Sequence, residues 1–131
     1  MKLLLYATPP CPRAEELAQM IHTGLPHVHT THTGNVDTLN QHLKRPMNRF
    51  TIVLAFIPDT ESLEKLSALS ALLEDKKLIL ILPEADKHLF SKSLQLTPSY
   101  VSYQERDPMD VILVINQIGL KHFAMNNAQA S

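Results

Sequence analysis

The sequence has no tryptophan, one cysteine (Cys11) and three glycines among its 131 residues. Each scarcity excludes something. A lone thiol cannot build an internal disulfide framework. Three glycines, none of them behind the first apolar run, leave no glycine-rich loop whose amides could approach a phosphate or a dinucleotide. The formal charge is −1, and the 12 basic residues are scattered, so there is no basic face for nucleic acid. No apolar run approaches the roughly 18 residues that suggest a membrane span. The opening Met1-Lys2-Leu3-Leu4-Leu5-Tyr6 starts like a signal peptide, but prolines interrupt it and it reads as a buried strand. The expectations are a cytoplasmic protein with no nucleic-acid partner, no membrane contact and no cofactor.

What is present is a globular composition, 44% apolar and 19% charged, at a length that suits one hydrophobic core. Lys2–Ala7 is a compact apolar run closed by Thr8-Pro9-Pro10. A helix follows from Arg13, with Leu17, Met20 and Ile21 on one face, stopped by Gly24 and Pro26. His27–Thr33 alternates as a wetter strand. Gly34-Asn35 opens a helix with Val36, Leu39 and Leu43, ended by Pro46. Phe50–Ile57 is a strand buried on both faces. Asp59 or Thr60 caps a helix striped by Leu63, Leu66, Leu69, Leu72 and Leu73. Leu78–Leu82 is a second central strand, Asp86–Leu94 a helix and Tyr100–Tyr103 a short strand. Pro108 to about Phe123 forms the last helix, capped by Asp107, with Val111, Ile112, Val114, Ile115 and Ile118 for the core.

Five βα units predict a three-layer αβα domain over residues 1–125, with a frayed tail at 126–131. The sheet is expected to be five-stranded, mostly parallel and ordered 2-1-3-4-5, since strands one, three and four are the most apolar. Ligands in such sheets bind beyond the carboxyl ends of the strands, which collects Thr8, Cys11, Arg13, Asp59, Thr60 and Glu84 on one rim. The proline-stiffened Thr8-Pro9-Pro10 offers little of the surface a flavin needs.

Two readings attend each candidate. Asp59 either holds a cation or phosphoryl group or caps its helix. Cys11, at a helix start beside Arg13, has the placement of a reactive thiol, or it is a small hydrophobe. His27 and His29, two apart on a strand, share a face and could reach one metal ion; the alternative is a polar edge strand.

The stretch from Thr51 through Ile-Val-Leu-Ala-Phe-Ile-Pro-Asp-Thr, with its Leu-rich helix and Lys77-Leu-Ile-Leu-Ile-Leu, resembles the middle of a response-regulator receiver domain of the CheY-like kind. The resemblance implies a signalling module whose last strand and helix form a partner-binding or dimerising face, with Tyr100, Tyr103, Met109 and Leu113 as candidates; Leu113 is assigned to the core. It also implies departures. Receivers place an acidic pair after the first strand, a phospho-accepting aspartate after the third, a Ser or Thr after the fourth and a Lys after the fifth. This chain offers Ala7-Thr8, Ala55 or an apolar neighbour, Pro83 and Gln104. Phosphoryl transfer would lack its acceptor and its charge neutralisation. The sequence therefore points to a non-catalytic pseudo-receiver acting on a protein partner or a second copy. The alternative is a small thiol-dependent or ligand-binding enzyme using Cys11 at the rim; the Cys11-Pro12 string resembles the start of a glutaredoxin without its second cysteine.

Overall fold

A computed structural model describes the backbone of residues 1–45, 49–83 and 86–130, and side chains as far as residue 123 within that set. The order is β1 (Lys2–Tyr6), α1 (Pro12–Gly24), β2 (His29–Thr33), α2 (Val36–Lys44), β3 (Ile52–Phe56) and α3 (Thr60–Ser67). It continues with α4 (Ser70–Leu73), β4 (Lys77–Leu82), α5 (Lys87–Ser93), a 3-10 turn at Leu94–Leu96, β5 (Tyr100–Tyr103) and α6 (Met109–Ala130). The strands form one sheet in the order β2-β1-β3-β4-β5, every neighbouring pair parallel. This is the expected doubly wound arrangement.

Burial explains the order. Every residue of β3 is buried, as is all of β1 and β4 except the lysine that begins each. Strands apolar on both faces must sit between neighbours and beneath helices on both sides. Alternation then divides the core in two. Leu4, Val53, Ala55, Leu78 and Leu80 face α2, α3, α4 and α5. Leu3, Leu5, Ile52, Leu54 and Ile79 face α1 and α6.

Four details depart from the sequence reading. The expected Leu-rich helix is two helices, α3 and α4. The hydroxyl of Ser67 donates to the carbonyl of Leu63 at 2.9 Å, a bond to the preceding turn that bends helices. The next backbone bonds, Leu69 to Leu66 and Leu72 to Leu69, are of the tight 3-10 type. Strand β2 begins at His29, because Leu25 to Val28 close a turn in which Val28 N donates to Leu25 O. The helical backbone of α6 continues to Ala130, through the stretch from Asn126 expected to fray; Asn126 to Ala130 contains neither glycine nor proline to stop it. Leu113, assigned to the core, is exposed, whereas Val111, Ile112 and Ile115 do face the sheet. Pro46 lies outside the described residues.

Candidate functional site

All strands run the same way, so the loops that follow them share one rim. After β1 come Ala7 and Thr8, the latter exposed, and then a cis peptide bond between Pro9 and Pro10. Gly34, after β2, lies under this turn: a Cβ there would meet Pro9 Cδ at 3.1 Å. The close approach accounts for the glycine and leaves a hollow of about 150 Å³ lined by Pro9, Cys11, Glu15 and His32.

Among the described residues, three carboxylates that follow β3, β4 and β5 are committed to helix starts. Asp59 accepts from the amide of Ser62 at 2.8 Å, Asp86 from those of His88 and Leu89 at 2.9 and 3.3 Å, and Asp107 from that of Met109 at 3.0 Å. Each satisfies donors that a helix start leaves unpaired. The Ser62 amide, with the Ser62 hydroxyl and the more distant Lys65, holds the Asp59 carboxyl below its ordinary value. The capping role read for Asp59 is the one the structure displays. Thr60 is simply the first residue of α3. Glu84 lies outside the described residues.

Cys11 and Arg13 do not converge. Cys11 occupies the N-cap position of α1 without a side-chain capping bond, half-buried in the hollow. Arg13 turns along α1 to pair with Glu16 at 3.2 Å, and it lines a different, very small cavity with Tyr103, Gln104 and Arg106. The histidine pair also separates. His27 sits in the turn before β2, its Nε2 about 3.5 Å from where a Cβ on Gly119 would stand. His29 instead lines an open groove of about 630 Å³ with His22, His32 and Glu15. Among the described residues, no three His, Cys, Asp or Glu side chains come together as metal ligands would.

The face implied by the resemblance has structure that the sequence did not announce. Asp110, in the first turn of α6, accepts from the Tyr100 hydroxyl at 2.8 Å and from the hydroxyl of fully buried Ser102 at 2.7 Å. The bond to Asp110 raises the Tyr100 phenol above its ordinary value, with burial and the charge of Asp110 adding to it. Arg106 lies over the ring of Tyr103, 5.0 Å from its centroid, a cation–π contact. Tyr100 and Tyr103 are thus half-buried and partnered, while Met109 is exposed. Asp110 and Ser102 are the residues that sequence reasoning missed. A serine and an aspartate on neighbouring elements carry no signal of their own until the β5–α6 connection sets them side by side.

With this geometry in place, comparison with known proteins is informative about the fold. No family model matches the chain, and no curated protein does. Solved structures do. A CheY-like response regulator receiver domain protein from Methanospirillum hungatei superposes with a TM-score of 0.73 at 16% identity, covering 95% of this chain and 98% of that one. A pilus assembly-related protein from Burkholderia pseudomallei gives 0.71 at 18%, covering 90% and 89%. A CpaE pilus assembly protein from Burkholderia thailandensis gives 0.71 at 18%, covering 91% and 98%. At such identities the likeness speaks for the fold: the chain is built as a receiver domain is built. Among the described residues, no helix is long and apolar enough to cross a membrane.

Proposed function

We propose that this chain, with its receiver fold, is a pseudo-receiver: a cytoplasmic signalling module that works by protein contact and transfers no phosphoryl group. The observation that carries this is the occupation of the rim. The described carboxylates Asp59, Asp86 and Asp107 each cap a helix, and Ala7 and Thr8 stand where receivers carry their acidic pair. In-line transfer to a carboxylate needs a nucleophile free to attack and a metal ion to neutralise the developing charge. A carboxylate tied to backbone amides beside an alanine and a threonine provides neither. Fold alone does not assign function, and the residues at the rim support this reading. The pilus assembly proteins among the structural neighbours suit a receiver fold employed for assembly contacts.

The test is incubation of the full chain with acetyl phosphate and Mg²⁺, read by intact mass. The expected result is an unchanged mass. A phosphoryl adduct mapped to Asp59 or Glu84 would overturn the reading.

A further inference from the structure

The last helix runs past the sheet. After β5, α6 returns along the sheet from the rim for 22 residues, about 33 Å. β4, with six residues, spans about 20 Å. Val111, Ile112 and Ile115 fix the first part of α6 to the core. Its later part overhangs the starts of the strands, at the pole opposite the rim, and leaves a groove of about 510 Å³ against them. A hollow of that size holds a small molecule.

The strand starts make one wall. The amide of Lys77 donates to the carbonyl of Thr51 at 2.9 Å and that of Ser99 to the carbonyl of Leu78 at 2.7 Å, which sets the three entries side by side. Lys77 lies two residues before Ile79, whose side chain faces α6, and so shares that side of the sheet. Tyr100 stands beside Ile79 in register, its hydroxyl held by Asp110. Half-buried Tyr100, Val114 and Ile118 give the groove an apolar floor.

The fixed charges at its mouth have one sign. Lys77 comes from the sheet and Lys121 from the helix, both exposed. Among the described residues, no aspartate or glutamate lines the groove, and neither lysine is paired with one. Adjacent Lys76, by contrast, is paired with Asp75 at 3.2 Å. His122, which has a partner of its own in the chain, completes the lining with Gln117.

We propose that this groove binds a small amphipathic anion, with its apolar body on Tyr100, Val114 and Ile118 and its carboxylate or phosphate head between Lys77 and Lys121. Such a site needs neither the rim nor a protein partner, so it goes beyond the contact-module reading. Each part of the ligand answers to a part of the groove. A cation would meet two ammonium groups and no counter-charge. An anionic head accepts from those groups in charge-assisted hydrogen bonds, which are stronger than neutral ones. A nucleoside polyphosphate would want glycine-cradled amides for its several charges, and among the described residues no glycine lines this groove.

The test is titration calorimetry of the full chain at low salt with octanoate, octyl phosphate, octanol and inorganic phosphate. Octanoate and octyl phosphate are each expected to bind one per chain, about tenfold or more tighter than octanol and inorganic phosphate respectively. Whichever of the two binds more tightly identifies the head as carboxylate or phosphate ester. Lys77→Glu and Lys121→Glu should each weaken binding roughly tenfold or more, with an unchanged circular dichroism spectrum because both positions are exposed. Lys87→Glu, exposed on α5 across the sheet, should leave affinity unchanged. Amide chemical shifts should move at Ser99, Tyr100, Gln117 and Lys121. Octanol binding as tightly as octanoate overturns the proposal, because the lysines then recognise nothing. Inorganic phosphate matching octyl phosphate overturns it too, because the apolar floor then holds nothing. So do the absence of binding by both amphiphiles at millimolar concentration, full affinity in the two lysine variants, and shifts that gather instead at the hollow beside Cys11.

Discussion

A single carboxylate shows how a residue's role follows from what it touches. Asp59 sits where a phosphoacceptor might be sought, yet its oxygen receives the Ser62 amide. That bond favours the ionised form, so the stability it supplies is present above the ordinary value of 3.8 and lost as pH falls through the lower folded value. Asp59→Ala should lower the melting temperature at pH 7, with the gap to the parent closing in strong acid; an equal gap at all pH values would deny the cap. Tyr100 works in the opposite sense. Its raised phenol adds stability up to the ordinary value of 10.0, which is lost as pH climbs through the folded value. Tyr100→Phe should remove that alkaline loss from a pH series of urea midpoints. Ser102→Ala strips a buried donor from Asp110 and is expected to cost about 1–3 kcal/mol in chemical denaturation.

Among elements, the central strands were legible because a strand buried on both faces cannot hide it. Leu3-Leu4-Leu5-Tyr6, Ile52–Phe56 and Leu78–Leu82 read as continuous apolar runs, and their order in the sheet follows. Two helix starts were legible too, from Asp59 and Asp107 ahead of their apolar stripes. Three things were not. The break between α3 and α4 coincides with the bond from the Ser67 hydroxyl to the Leu63 carbonyl, which periodicity does not encode. The His27–His29 pairing assumed a strand where the chain turns. Leu113 was misassigned because α6 is apolar on two sides, and periodicity says which residues share a face but not which face meets the sheet. The difference is measurable. Leu54→Ala, in the fully buried β3, should cost about 2–5 kcal/mol, whereas Leu113→Ala should stay within about 0.5 kcal/mol for the monomer.

For the molecule as a whole, the sheet is a partition with a separate core on each side, and its strand order has a consequence during synthesis. β1 is made early but ends in the interior of the sheet, with Tyr6 beside Ala55, 49 positions later in the chain. While a ribosome is still translating the segment before β3, the nascent chain can lay β2 along one side of β1 and has nothing for the other. A row of unpaired amides and carbonyls flanked by Leu3 and Leu5 then faces water, the kind of open edge that invites pairing with the wrong strand. Translation that stalls short of Phe56 should leave a product that chaperones hold or that precipitates, while a stall just past it releases a chain whose first strand is already shielded.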